Sequence, residues 1–281
     1  NQPLRVLPPI LLVQTCFKIL LLPTYRSTDF DVHRNWLAIT HNLPLSEWYF
    51  DNVNGTTAHT LDYPPMFAYF EFVLSNNPLT AKLLPRHDRC LHLLSDADND
   101  PSEECIMFHR STVILSDLVF WIGAYIACRA MYYGKSLHHS TIAFLLITWN
   151  PGLMWLDHIH FQYNGMLLGL LLASLGLLMI GNQVGVSNRW YHFCHLGGAA
   201  LYAILLNFKH LYLTLAPLYF CYLLFSYCWQ GVNGFQLQNF FALAVVTAFC
   251  LLAPWFPFLL QDDPKGQVLQ IFARLFPFGR G

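Results

Sequence analysis

The residues best suited to chemistry lie close together near the start of the chain. Asp29, Asp31, His33 and Arg34 occur within six residues, and Trp36 follows them. A carboxylate in this position can accept a proton, and the neighbouring cationic side chains can stabilise a leaving phosphate. The segment therefore predicts attack by a hydroxyl group on a phosphate-linked electrophile. The alternative is a solvated helix start in which Asp29 or Asp31 caps the helix.

Asp62 and Tyr63 form a second candidate, because they stand directly before Pro64 and Pro65. Consecutive prolines impose an extended backbone, so Asp62 would sit in a rigid setting at the water boundary of the next helix. An ordinary loop acid ahead of a membrane segment explains the pattern equally well.

The third candidate is segment 157–164, which reads Asp-His-Ile-His-Phe-Gln-Tyr-Asn. Asp157, His158 and His160 have the residue types of a zinc site, but a tetrahedral site needs further ligands at matched spacing, and none stands out. We predict no metal here. We expect His158, His160 and Gln162 to contact a carbohydrate or a lipid head group instead.

A fourth candidate interrupts a long apolar stretch at residues 207–210, Asn-Phe-Lys-His. Ionisable groups at membrane depth are costly, which favours a functional role. Alternatively, Lys209 extends to the interface and marks a helix end. Separately, Asn54-Gly55-Thr56 matches the acceptor pattern for glycosylation, which would place the first loop in the lumen.

The composition indicates that these candidates belong to a membrane protein. Of 281 residues, 55% are hydrophobic and 11% are charged, whereas a soluble domain carries about 25% charged residues. Proteins that bind nucleic acids usually carry an excess of basic residues, whereas this chain has a net charge of −1. We therefore predict no nucleic-acid partner. Twelve of the sixteen acids fall in residues 24–110, which predicts one large polar region early in the chain.

Apolar runs predict the elements that hold this region, and together they predict an all-α, polytopic transmembrane helical bundle. The runs cover residues 7–23, 63–74, 111–131, 140–156, 165–180, 196–227 and 240–260. The run 196–227 is too long for one ordinary helix, so we expect two segments that meet at the polar break 207–210. Residues 264–276 show helical spacing of apolar side chains and predict an amphipathic helix at the interface.

Cysteine placement adds one candidate crosslink. Only Cys90 and Cys105 share a polar segment, and a lumenal location would permit a disulfide between them. Their spacing alone does not establish the required geometry. The chain begins with Asn1 and stops directly after an amphipathic run, so we expect it to be part of a longer polytopic protein.

Several of these segments carry a family resemblance. In the same order along the chain, 27–40, 48–49, 61–65 and 157–164 resemble the endoplasmic-reticulum dolichyl-phosphate-glucose-dependent α-1,3-glucosyltransferases of asparagine-linked glycosylation. Segments 33–40, 206–212 and 274–278 are more similar to the member that adds the second glucose than to the member that adds the first.

The resemblance implies a multispanning fold of the glycosyltransferase C superfamily in the endoplasmic reticulum membrane, with the active site facing the lumen. It divides the chain into a catalytic lumenal loop at 24–62, membrane helices and loops at 63–260, and an interfacial segment at 261–281. The implied donor is dolichyl-phosphate glucose, and the implied acceptor is a dolichyl-pyrophosphate-linked high-mannose oligosaccharide. The bilayer is the third expected partner, and we expect no cofactor.

The family places its base at the leading acid of an acid-aromatic-acid triplet, which corresponds to Asp29 in this sequence. The residues implied to bind substrate are Asp31, His33, Arg34, Trp36, Asp62, Tyr63, His158, His160 and Gln162. The competing interpretations are the enzyme that adds the first glucose, a related mannosyltransferase, a noncatalytic membrane subunit, and a transporter in which Asp117, Asp157 and Lys209 line a polar path.

Overall fold

The structure is a computed structural model that describes residues 2–50, 59–78, 80–84, 89–93, 100–134, 137–186, 189–231 and 234–277. The glycosylation pattern at Asn54 lies outside these residues. Regular structure in the described part is helical, and the pairing of Trp229 with Phe235 is an isolated β-bridge. The all-α prediction is confirmed.

In chain order the α-helices are α1 (Gln2–Leu20), α2 (Thr28–Asn42), α3 (Pro65–Asn76), α4 (Thr80–Leu83), α5 (Glu103–Met131), α6 (Leu137–Thr148), α7 (Pro151–Met154), α8 (Asn164–Val184), α9 (Arg189–Phe208), α10 (Ala216–Leu223), α11 (Leu237–Leu252), α12 (Phe256–Leu259) and α13 (Pro264–Leu275). Short 3-10 segments cover Leu45–Glu47, Arg89–Leu91, His210–Leu215 and Ala253–Trp255, and π-helical turns cover Trp155–Ile159 and Leu224–Cys228.

The chain divides into two compact units. We call residues 1–17, 116–154 and 163–253 the apolar unit, and residues 18–115, 155–162 and 254–281 the polar unit. The candidates at 29–36, 62–63 and 157–162 fall in the polar unit, whereas Asp117, Asn164 and the 207–210 segment belong to the apolar unit.

Among the described residues, four helical stretches are long and apolar enough to cross a membrane, namely Glu103–Met131, Asn164–Val184, His210–Cys228 and Leu237–Leu259, and a shorter apolar helix covers Leu7–Leu20. The predicted break within 207–210 is confirmed, because α9 ends at Phe208 and the next helical stretch begins at His210. Asn207 donates hydrogen bonds to the carbonyls of Cys250 and Leu251, and Lys209 Nζ lies 3.1 Å from Asn164 Oδ1.

The prediction of one continuous span at 140–156 is wrong. Helix α6 ends at Thr148, and Pro151 begins α7. The proline lacks an N–H and disfavours a helical conformation at Asn150. The Asn150 side chain then accepts a hydrogen bond of 3.1 Å from the Leu153 N–H, which starts the next short helix.

Within the apolar unit, glycines let α5 and α8 approach closely. A Cβ atom on Gly169 would lie only 2.5 Å from the Val119 carbonyl oxygen, and a Cβ atom on Gly123 would overlap the backbone of Gly169. Small residues at such a crossing bring two backbones into van der Waals contact, which is a main source of association between membrane helices.

In the polar unit, α2 is buried along most of its length, and Phe30, Leu37 and Ala38 have no exposed surface. Acids in its first turn complement the positive end of the helix dipole. A disulfide joins Cys90 to Cys105 and ties the 3-10 turn Arg89–Leu91 to the first turns of α5, so the structure contains the crosslink considered from the sequence.

Helix α13 is present as predicted, and three of its polar side chains form hydrogen bonds within the protein, whereas Lys265 is exposed. Gln267, Gln270 and Arg274 donate to the backbone carbonyls of Ser46 and Tyr49. Ser46 lies in the 3-10 turn after α2 and Tyr49 follows that turn, so the polar face of α13 provides side-chain donors to the backbone of this segment.

Enlarging Gly169 tests the close helix contact. We expect Gly169→Ala to force α5 and α8 apart and to cost about 1–3 kcal/mol of stability, the usual range for overpacking. The measurement is the thermal unfolding midpoint of the full-length protein in detergent. Gly197→Ala is the matched control, because its new Cβ would lie 3.4 Å from the Leu177 side chain, an ordinary contact. Equal midpoints for the two variants would contradict the packing described.

Candidate active site

The Asp29 carboxylate contacts two side chains from a distant part of the chain. The Gln162 amide donates a hydrogen bond to Asp29 Oδ2, and His160 Nε2 lies 3.3 Å from the same oxygen. The Asp29 side chain is 33% exposed and that of His160 is 36% exposed. Within the described residues Oδ1 has no hydrogen-bond partner, so one carboxylate oxygen is fixed while the other can accept a proton.

The backbone around His160 explains how two side chains reach one oxygen. The π-helical turn Trp155–Ile159 precedes it, and Phe161 adopts a positive φ of 77°. A positive φ is uncommon for a residue other than glycine and marks a strained turn. The Ser27 hydroxyl, at the start of α2, donates to the His160 carbonyl and joins this turn to the helix that carries Asp29.

The second nitrogen of His160 also has a neighbour. The Tyr25 hydroxyl lies 3.3 Å from His160 Nδ1. If the tyrosine donates to Nδ1, the ring carries its proton on Nε2, which then faces Asp29. The imidazole of His160 is therefore held at both nitrogens, by Tyr25 on one side and by Asp29 on the other, which fixes its orientation at the exposed edge of the site.

Asp31 and Arg34 pair with each other. Arg34 Nη2 lies 3.3 Å from Asp31 Oδ1, at the i,i+3 spacing of neighbours on one helix face. The guanidinium is buried, whereas the carboxylate is 33% exposed. The structure thus separates the two acids of the triplet, since Asp29 faces the 160–162 turn and Asp31 faces Arg34.

His33 points into the interior. Its Nδ1 lies 3.0 Å from Glu71 Oε1 of α3, and both side chains are buried. Burial raises the pKa of the Glu71 carboxyl, and the hydrogen bond and charge of His33 partly oppose that rise. The imidazole also packs edge-to-face on Trp36, with ring centroids 4.9 Å apart.

Asp62 and Tyr63 differ in their surroundings. Asp62 is exposed and accepts a 3.2 Å hydrogen bond from the Thr60 hydroxyl. The Tyr63 ring packs against Trp36 with centroids 4.9 Å apart, and the Tyr63 carbonyl accepts a 2.8 Å hydrogen bond from the Tyr49 hydroxyl. The His33 and Tyr63 rings also meet edge-to-face with centroids 6.4 Å apart, so His33, Trp36 and Tyr63 form one cluster.

Asp157 and His158 are both buried, at 2% and 6% exposure, whereas His160 reaches the surface. In the described part of the chain, the group whose metal-ligand atoms converge within 4.8 Å is Cys90, Cys105 and His109. The two sulfurs of that group are bonded to each other. The prediction of no metal at 157–160 stays a prediction.

Sequence reasoning did not single out Glu71, Tyr25 or the pair His109-Arg110 near the start of α5. The sequence could have indicated this pair, because an imidazole and a guanidinium come directly before the apolar run 111–131, and ionisable groups next to such a run are uncommon. Glu71 carried a similar signal, as an acid within the apolar run 63–74.

Replacing Glu71 tests the buried pair. We expect Glu71→Leu to cost about 3 kcal/mol, because it removes the carboxylate that faces the buried His33 imidazole. Glu71→Gln keeps an acceptor oxygen and should cost less. The readout is the thermal unfolding midpoint of the full-length protein in detergent, with Glu104→Gln, an exposed acid of α5, as the control. A Glu71→Leu midpoint equal to that of the control would contradict this pairing.

Comparisons with known proteins agree with the resemblance. The dolichyl pyrophosphate Glc1Man9GlcNAc2 alpha-1,3-glucosyltransferase of Arabidopsis thaliana is 46% identical over 270 residues, which are 96% of this chain and 47% of that protein. The mouse protein of the same name is 41% identical over 280 residues, covering 95% of this chain and 48% of its own length. A Drosophila melanogaster protein, named as a probable enzyme of this kind, is 42% identical over 271 residues, covering 96% and 47%.

The chain spans about half the length of the curated relatives that it matches. A family model described as the ALG6, ALG8 glycosyltransferase family matches residues 14–281. Because that match covers nearly the whole chain, the chain belongs to the ALG6, ALG8 glycosyltransferase family.

Proposed function

We propose that this chain carries the catalytic base of an inverting glucosyltransferase. The reaction moves glucose from dolichyl-phosphate glucose to dolichyl-pyrophosphate-linked Glc1Man9GlcNAc2 and forms an α-1,3 linkage. The observation that carries the proposal is the half-exposed Asp29 carboxylate, held through Oδ2 by Gln162 and His160. The names of the similar proteins supply the acceptor and the linkage.

In the proposed mechanism, Asp29 Oδ1 accepts the proton of the acceptor 3-hydroxyl as the hydroxyl oxygen attacks C1 of glucose. The bond between C1 and the phosphate oxygen breaks, and its electron pair leaves with dolichyl phosphate. One displacement converts a β-linked donor into an α-linked product, so no covalent glycosyl-enzyme is needed. The leaving phosphate is already stable as an anion, and the second carboxylic acid used by glycoside hydrolases is dispensable.

The fixed Oδ2 matters for this step. Gln162 and His160 hold the carboxylate plane through Oδ2, so that a bound hydroxyl meets Oδ1 in one orientation. The His160 ring lies at the exposed edge of the site, where it can approach the leaving phosphate.

Exposure divides the other candidates into two groups. Asp31, Asp62, Tyr63, His160 and Gln162 are exposed or half-buried, and we propose that they contact the sugars or the phosphate. His33, Arg34, Trp36 and His158 are buried, and the geometry favours a positioning role behind the site. Direct substrate contact by these four stays a prediction.

The proposed location is the endoplasmic reticulum membrane, with the polar unit facing the lumen. The Cys90–Cys105 disulfide supports this orientation, because disulfides persist in oxidising compartments. The four membrane-length helices support a multi-pass protein. A donor and an acceptor that are both anchored by dolichol would then meet at the membrane surface.

The test is Asp29→Asn in the full-length enzyme, assayed with dolichyl-phosphate glucose and dolichyl-pyrophosphate-linked Glc1Man9GlcNAc2. We expect the rate of transfer to fall by about 10² to 10⁴, the usual contribution of a general base. Expression and membrane insertion should not change, because Asn keeps the shape of the side chain. Asp262→Asn, a loop acid exposed beyond α12, is the control and should retain activity.

Assays of the wild-type enzyme with alternative acceptors and donors distinguish the competing functions. Transfer to Man9GlcNAc2 in place of Glc1Man9GlcNAc2 would identify the first-glucose enzyme, and transfer from dolichyl-phosphate mannose would identify a mannosyltransferase. Near wild-type transfer by Asp29→Asn would overturn the assignment of the base. Absence of transfer by the wild-type enzyme with every pair would overturn the function itself.

A further inference from the structure

The Arg110 guanidinium bridges two backbone segments of the polar unit. Its Nη1 donates to the His158 carbonyl at 2.7 Å and to the Thr24 hydroxyl at 2.8 Å. Its Nη2 donates to the Tyr25 carbonyl at 2.8 Å, with the Ile159 carbonyl at 3.4 Å. The side chain is only 3% exposed. Each terminal nitrogen thus contacts both segments, which a planar fork of donors can do and a single ammonium group cannot.

The two bridged segments are those that build the Asp29 environment. Residues 24–25 lead into Ser27 and α2, and Tyr25 also contacts His160. Residues 158–159 lead directly into His160 and Gln162, the two side chains on Asp29 Oδ2. Arg110 therefore fixes the spacing between the segment that precedes the proposed base and the segment that carries the partners of that base.

A cluster of aromatic rings also packs against the 158–162 turn. Phe161, whose φ is positive, packs edge-to-face on Phe30 with ring centroids 5.1 Å apart, and its ring centroid lies 5.6 Å from that of His109. Phe30 in turn lies 5.3 Å from His109. Because Phe30 follows Asp29 and His109 precedes Arg110, one helical turn of α5 contacts both sides of the site.

The start of α5 is itself anchored. The disulfide attaches Cys105 to Cys90, and both belong to a buried cluster that includes Leu37 of α2. Arg110 follows Cys105 by little more than one helical turn, so the guanidinium projects from a backbone that the crosslink already holds. A rigid support is what a precisely placed catalytic group needs.

We propose that Arg110 is a positioning residue for glucosyl transfer. It acts through the 158–162 turn, by holding Gln162 and His160 against Asp29 Oδ2, and it does not touch substrate. This inference rests on the proposed role of Asp29. It predicts that the effect of Arg110 on the rate is transmitted through Gln162.

The experiment is a double-mutant cycle in the full-length enzyme with Arg110→Lys, Gln162→Leu and the combined variant. We expect each single change to lower kcat by about 10-fold to 100-fold, since small misplacement of a catalytic group has effects of this size. For Arg110→Lys, the KM values for both lipid-linked substrates should stay within about twofold, because Arg110 does not touch substrate. The kcat of the combined variant should lie within about threefold of the kcat of the less active single variant, because the two changes remove the same support.

Two controls make the outcome specific. Arg129→Lys changes an exposed arginine of the same helix and should leave kcat unchanged. Thermal midpoints of all variants in detergent identify any loss of folded protein, and Arg110→Gln provides a second variant if Arg110→Lys does not fold. Multiplicative effects of the Arg110 and Gln162 changes, or an Arg110 effect on KM alone, would overturn the proposal. If Asp29→Asn were fully active, the proposed base would fail instead, so the two failures are distinguishable.

Discussion

The shared contact of Gln162 and His160 with Asp29 Oδ2 is the interaction on which the rest of the polar unit depends. Gln162 and Asp29 are 133 residues apart in sequence, so the site exists only when two distant segments meet. An exposed carboxylate that rotates freely would present either oxygen in many directions. Fixing one oxygen leaves the other in a defined place, which is the condition for efficient proton acceptance.

Meeting that condition requires polar groups behind the site, where water cannot satisfy them. The structure pairs His33 with Glu71 and Arg34 with Asp31, and it commits Arg110 to backbone carbonyls. Buried charges are costly unless they are paired and hydrogen-bonded, so each of these contacts offsets a penalty as well as holding a position. The same rule accounts for α13, whose Arg274 satisfies the Tyr49 carbonyl.

Local patterns predicted what depends on local chemistry. The helical class, the break at 207–210 and the apolar segment 63–74 that forms α3 follow from residue types and spacing. The choice of Asp29 as the base rests on the family resemblance and stays a proposal. The direction of a side chain depends on tertiary packing, and there the sequence was insufficient. Nothing in the spacing of α2 indicated that His33 would face Glu71, or that Gln162 would reach Asp29 through a positive φ at Phe161. The prediction of one continuous span at 140–156 was wrong because it relied on the hydropathy of the run and gave too little weight to Pro151, which begins a new helix.

The most direct test of the central claim is a structure of the full-length enzyme with a nontransferable analogue of dolichyl-phosphate glucose and the Glc1Man9GlcNAc2 acceptor. We predict the acceptor 3-hydroxyl within about 2.6–3.2 Å of Asp29 Oδ1, the reach of a general base, with Gln162 and His160 still on Oδ2. A 3-hydroxyl that instead meets a different carboxylate, with Asp29 turned away from both substrates, would contradict the assignment.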